Sequence, residues 1–147
     1  MRDINKIVLH CSATREGHDV STETIRGWHV NKRGWSDIGY HFVVLLDGTV
    51  DKARPIERQG AHVRGHNKGS IGIAYIGGVE EKRGKNGKWI PKDTRTEAQK
   101  KSLEELITYL METYEDATLH GHNEFSSKAC PSFDVQEVYK ELIECHE

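Results

Sequence analysis

Three side chains from opposite ends of this chain have the donor chemistry of a metal centre. His10 closes the apolar run Lys6-Ile7-Val8-Leu9-His10, and far downstream Leu119-His120-Gly121-His122 precedes Lys128-Ala129-Cys130-Pro131. One histidine from each place plus Cys130 supplies two imidazoles and a thiolate, a set that suits a catalytic Zn²⁺ whose fourth position is left to water. Side chains alternate across a strand, so His10 and Cys11 face opposite ways and only one of them reaches a shared ion. His10 is the better placed of the two, at the C-terminal end of its strand, where open sheets gather their chemistry. His120 and His122 share a face by the same parity and either could ligate. His122 is preferred because it lies nearer to Cys130, and the segment between them is long enough to return the thiolate to the strand end. Pro131 stiffens that return, and Lys128 brings a cation to its rim. Taken singly, each histidine is more often a hydrogen-bonded core or surface residue than a ligand. No Cys-x-x-Cys pair marks a closed structural site.

The elements that must position these groups follow from periodicity and punctuation. Ile4 to His10 reads as a strand buried on both faces. Ser21 or Thr22 caps a helix carrying Ile25, Trp28 and His29 and ended by Gly34. Trp35 to Gly39 is a loop, His41 to Leu46 a second strand, and Asp47-Gly48 a hairpin turn into Thr49-Val50-Asp51. Gln59 to Gly69 is a glycine- and asparagine-punctuated loop with two histidines. Ile71 to Ile76 reads as a central strand, with Gly72 where backbone packs closely. Glu80 to Asp93 is a polar surface loop around Trp89. Thr96-Glu97-Ala98-Gln99 is a capping box, and Leu103, Leu106, Ile107, Leu110, Met111 and Tyr114 form the apolar stripe of a long helix. Ala117 to Leu119 leads a short strand into His120, and Asp134 caps a last helix with Val135, Val138, Leu142 and Ile143 facing inward. Strands alternating with helices, plus one hairpin, predict an α/β fold: a single domain over residues 1–147 with a central mixed β-sheet flanked by helices.

Composition narrows the function class. The chain has 147 residues, 21 Lys and Arg against 23 Asp and Glu, a formal charge of −2, 35% hydrophobic and 30% charged residues. No one-signed block marks a nucleic-acid footprint, so no nucleic-acid partner is expected. The longest apolar run, Phe42 to Leu46, falls far short of the about 20 residues that span a bilayer, and no membrane insertion is expected. The N-terminus lacks the apolar segment of a secretory signal, which predicts cytoplasmic synthesis. Three cysteines are too few and too odd for a disulfide framework; Cys11 and Cys145 read as buried small hydrophobes.

Several segments together resemble the zinc-dependent type 2 N-acetylmuramoyl-L-alanine amidases, a family that includes short phage lysozyme-amidases and peptidoglycan-recognition proteins. The matching pieces are Val8-Leu9-His10-Cys11-Ser12-Ala13-Thr14, Gly34-Trp35-Ser36-Asp37-Ile38-Gly39-Tyr40-His41-Phe42, Asn67-Lys68-Gly69-Ser70-Ile71-Gly72-Ile73, and His122-Asn123-Glu124 followed by Lys128-Ala129-Cys130-Pro131-Ser132-Phe133. They run in the family's order over nearly the whole chain. The resemblance implies one Zn²⁺ per chain held by His10, His122 and Cys130, with Tyr40 and Lys128 as catalytic residues. It implies a hydrolase that cleaves the amide between N-acetylmuramic acid and L-alanine in peptidoglycan, and a monomer is expected. It places His62 and Asn67 beside the cleft, as substrate contacts. A phage or prophage endolysin, reaching the cell wall after release, fits this reading, and so does a delivered bacterial toxin. The polar segment from Glu80 to Asp93 is longer and differently charged than in relatives.

Three other functions compete. A non-catalytic peptidoglycan-recognition module would lack a ligand, whereas Cys130 is present here. A cysteine hydrolase would use Cys130 as nucleophile with His122 or His10 as base. A zinc-stabilised adaptor would need metal to fold and would hydrolyse nothing. Glu124 is a rival general base that reads better as a surface carboxylate or cap. His18, His29, His66 and His146 read as ordinary surface or helix residues.

Overall fold

The computed structural model describes residues 2–146. In chain order the elements are β1 (Lys6–Cys11), β2 (Thr14–Arg15), α1 (Thr22–Gly27), a π-helical turn (Trp28–Lys32), β3 (Phe42–Val44), β4 (Val50–Lys52), β5 (Ser70–Tyr75), β6 (Gly78–Val79), α2 (Glu97–Thr113), β7 (Thr118–Gly121), a 3₁₀ turn (His122–Glu124), α3 (Val135–Val138) and α4 (Lys140–Cys145). Five strands form one sheet in the order β4-β3-β5-β1-β7, and β2 and β6 pair separately. Only β4 runs antiparallel, against β3 through the Asp47-Gly48 turn, so the sheet is mixed, as the hairpin requires.

The strand alternation sorts the sheet into two faces. Ile7, Leu9 and Cys11 of β1, Phe42 and Val44 of β3, and Ile71, Ile73 and Tyr75 of β5 join one core with Leu103, Ile107, Leu110 and Met111 of α2. Each large apolar side chain buried there contributes roughly 1.5–3 kcal/mol. On the opposite face Val43 and Ile76 pack with Val20, Ile25 and Ile38 beneath α1 and its neighbours. His10 lies between them in sequence register, fully buried beside Ala74 of β5.

Local signals explain where the helices begin. Ser21 Oγ accepts the Thr24 N–H at 3.1 Å and starts α1, while Gly34, at φ +71°, ends the turn that follows it. At α2 the capping box is complete: Thr96 Oγ1 accepts from Gln99 N at 3.0 Å, and Gln99 Oε1 accepts from Thr96 N at 2.9 Å. Gln99 is itself buried, and its Nε2 donates to Val44 O and Ile76 O, tying the start of α2 to the ends of β3 and β5.

The C-terminal helix differs from expectation. It is two short helices, because Tyr139, at φ −105° and ψ 22°, interrupts the helical path. Tyr139 turns into the core, and its hydroxyl accepts from Arg95 Nη1 at 2.9 Å. The change of direction carries Val138 out to 46% exposure, so it does not face inward as its spacing suggested. Cys145 is exposed, against expectation, whereas Cys11 is buried as read. Leu142 and Ile143 still pack against the core.

Candidate active site

The C-terminal end of β1 carries His10 on the face away from α2, 1% exposed. β7 pairs with β1 only as far as Leu9 opposite Gly121, and the chain then enters the 3₁₀ turn at His122. The shared-face expectation for His120 and His122 fails here, because the strand ends between them. His120 turns to Thr118 Oγ1 at 2.7 Å and Glu124 Oε1 at 3.0 Å. His122 instead lies with its ring centroid 4.7 Å from that of His10. Glu124 also accepts the Gly121 N–H at 2.6 Å, so its carboxylate closes the turn. The loop after it returns Cys130 to β1, where Cys11 N–H donates to Cys130 Sγ at 3.1 Å. One donor atom from each of His10, His122 and Cys130 lies within 4.8 Å of the others.

The electrostatics fit a cation in that space. Burial, followed by the neighbouring His62, His122 and Lys128, drives the His10 pKa well below its ordinary value. Burial and then Lys128 lower that of His122. Both imidazoles are therefore neutral at pH 7, as ligands must be. The Cys11 side chain and burial push the Cys130 thiol up, while the Cys11 N–H and the Lys128 charge pull it down. A bound divalent cation would supply the remaining stabilisation of a thiolate. Two neutral imidazoles and a sulfur already held by an N–H donor form a set suited to Zn²⁺.

Beside the three donors, Tyr40 sets its ring 5.1 Å from that of His10. Burial first, then the two cysteines, push its phenol above the ordinary value, so it stays protonated and able to donate. A cleft of about 590 Å³ opens onto the group, lined among others by Arg33, Trp35, His62, Asn67, His122 and Lys128. A larger hollow of about 750 Å³, between the β4 region and α2, holds none of the three donors.

Residues 1–133 match the family described as N-acetylmuramoyl-L-alanine amidase. The chain belongs to that family. The endolysin of Escherichia phage T7 is 41% identical over 130 residues, covering 88% of this chain and 82% of that protein. Among solved structures, the N-acetylmuramoyl-L-alanine amidase LysC from Clostridium intestinale superposes with a TM-score of 0.78 at 31% identity, covering 96% of this chain and 86% of that one. Bumblebee PGRP-SA gives a TM-score of 0.76 at 27% identity, covering 98% and 84%.

In this amidase several residues around the cleft were not singled out by sequence. His29, read as an ordinary helix residue, is buried: its Nδ1 accepts the Gly39 N–H at 2.9 Å, and its ring lies 5.5 Å from Tyr40. Burial, then the Arg33 and Arg54 charges, lower its pKa to about 4. Arg33 lies over the Trp35 ring at 5.2 Å, and His66 stacks on Phe125 at 4.3 Å, joining the two loops that flank the cleft. The one available signal was the crowding of Trp28, His29, Arg33 and Trp35 just before the Gly39-Tyr40 segment. Of the two expected substrate contacts, Asn67 accepts the His62 and Val63 N–H groups on Oδ1, at 2.9 and 2.8 Å. His62 is buried with both ring nitrogens engaged, Nδ1 with His10 Nε2 at 2.8 Å and Nε2 with Ser70 Oγ at 3.1 Å.

Proposed function

We propose that this amidase hydrolyses the amide between N-acetylmuramic acid and L-alanine in peptidoglycan, using one zinc ion per chain held by His10, His122 and Cys130. The observation that carries the reading is the convergence of those three donors to within 4.8 Å, beside a cleft lined by His122 and Lys128. When bound, zinc supplies a Lewis acid that lowers the pKa of water to about 7 and polarises a carbonyl.

The remaining work falls to the chain's own groups. Attack on the amide carbon concentrates negative charge on the former carbonyl oxygen. The Tyr40 hydroxyl, kept protonated by its burial, is a donor for that oxygen. The Lys128 ammonium, close enough to depress the pKa values of His10 and His122, is the cation beside it. Each such donor contributes on the order of 3 kcal/mol to the transition state. One of the two also delivers a proton to the departing nitrogen. His10 and His122 remain neutral and hold position.

The biology is that of an endolysin, made in the cytoplasm and acting on the cell wall after release into it. We assign the chain as a monomer with one catalytic domain. Among the described residues no helix is long and apolar enough to cross a membrane.

Digestion of purified sacculi tests the reaction. Mass analysis is expected to show free stem peptides beginning with L-alanine and no new reducing sugar ends. New reducing ends, or cleavage inside the stem, would replace the amidase reading. Chelation should stop the reaction and zinc restore it. Survival of chelation with loss on thiol alkylation would indicate instead a Cys130 nucleophile.

A further inference from the structure

We infer that His62 is a positioning residue, holding His10 in the tautomer and orientation that a metal ligand requires. The inference rests on the assignment of His10 as a ligand. Its basis is a chain of hydrogen bonds that can run in one direction from end to end. Asn67 O, a carbonyl that only accepts, lies 3.1 Å from Ser70 Oγ, and a hydroxyl that gives its one proton there accepts on its other side. In that arrangement the proton of the 3.1 Å contact between Ser70 and His62 sits on His62 Nε2. A neutral imidazole carries one N–H, so His62 Nδ1 presents a lone pair. His10 Nε2–H donates to it at 2.8 Å, and the lone pair left on His10 is that of Nδ1. In the reverse direction the His10 proton would sit on Nδ1, and that nitrogen could not ligate.

The His62 ring is built in rather than resting there. A Cβ on Gly72 would lie 2.6 Å from His62 Cγ, and a Cβ on Gly60 would lie 2.8 Å from His62 Cδ2. Only glycine at both places lets the ring sit flat between the loop and β5. Asn67 Oδ1 holds the His62 and Val63 N–H groups at 2.9 and 2.8 Å, fixing the backbone from which the ring projects. Metal-bound histidines commonly hand their second N–H to a carboxylate or a backbone carbonyl. Here the acceptor is a neutral imidazole, which orients His10 without adding charge beside the sulfur.

The test compares the full-length wild type with His62→Leu and His62→Gln, reading zinc affinity by competition with a chromophoric chelator. His62→Leu removes the acceptor and is expected to weaken zinc binding about 10–100-fold. His62→Gln, whose amide accepts from His10 and donates to Ser70, is expected to recover most of that loss. The urea midpoint of the metal-free proteins separates a general loss of structure from a loss of ligand orientation. In the zinc-loaded wild type, two-bond ¹H–¹⁵N spectra should show protons on Nε2 of both His10 and His62, a result that needs no variant to fold. Zinc bound equally tightly by His62→Leu, or a proton on His62 Nδ1, would overturn the inference alone. A wild type that takes up no zinc would overturn the ligand assignment and this inference with it.

Discussion

Beneath α2 the sheet presents Ile7, Leu9, Phe42, Val44, Ile71 and Ile73, all packed against one another and against the helix. The same strands turn Val8, His10, Val43, Gly72 and Ala74 to the other side, where the loops bring in His29, Tyr40 and His62. Alternate positions along three strands thus divide the labour. One face supplies the burial that fixes the strands, and the other uses the fixed strands to aim polar groups. Small residues on the second face leave room for rings that arrive from outside the sheet, as Gly72 does for His62. Replacements on the first face should therefore change stability without touching the chemistry, whereas removal of a functional group lining the cleft on the second should change the chemistry first.

The sharpest separation is expected from Lys128→Ala, which should lower turnover on sacculi about 10²–10³-fold, the range for loss of one oxyanion donor. Zinc content should stay near one per chain; loss of zinc would make Lys128 part of the metal site and blur the division. On the other face, Ile107→Ala should lower the unfolding free energy by about 2–5 kcal/mol in urea titrations, since the side chain is fully buried. Turnover per folded molecule should not change, and a fall in it would mean that α2 packing reaches the cleft. Tyr40→Phe keeps the ring and removes the donor, so a smaller fall in turnover than for Lys128→Ala is expected, with zinc retained. Unchanged kinetics would remove Tyr40 from the reaction.

Acid should act through the polar face. Burial, and next the Arg2 and Arg54 charges against the pull of Arg58 O, bring the His41 pKa down to about 4, and His29 also lies at about 4. His41 Nδ1 accepts the Gly72 N–H at 3.0 Å and Nε2 contacts Arg58 O at 2.9 Å, so protonating Nδ1 breaks a buried hydrogen bond. Both imidazoles bind protons more weakly folded than unfolded, where the pKa is about 6.5. Their contribution is complete above about pH 6.5 and is lost as pH falls towards 4. The urea midpoint of the metal-free protein should fall across that window; a flat midpoint would contradict it. The smallest effect is expected at Asp134→Ala, which removes the cap of α3 and should cost about 1 kcal/mol by the same titration.

The framework was legible in sequence where one local rule acted alone. The apolar run of β1, the Asp47-Gly48 turn and the Thr96 to Gln99 box each name their own structure. Strand parity admitted only one of His10 and Cys11, the place at the strand end favoured His10, and residue type suggested the donor set. Parity could not choose between His120 and His122, because it assumes a strand that in fact stops at Gly121. The bend at Tyr139 also escaped, since its spacing suits one continuous helix and only packing against Phe133 and Arg95 turns the ring inward. The pairing of His62 with His10 joins residues 52 positions apart through a loop with no periodicity, so nothing local records it.

X-ray absorption at the zinc edge of the loaded wild-type protein tests the central claim most directly. The account predicts one sulfur at about 2.3 Å, two imidazole nitrogens at about 2.0–2.1 Å and one further light atom. A zinc shell without sulfur, or with more than one, would contradict it.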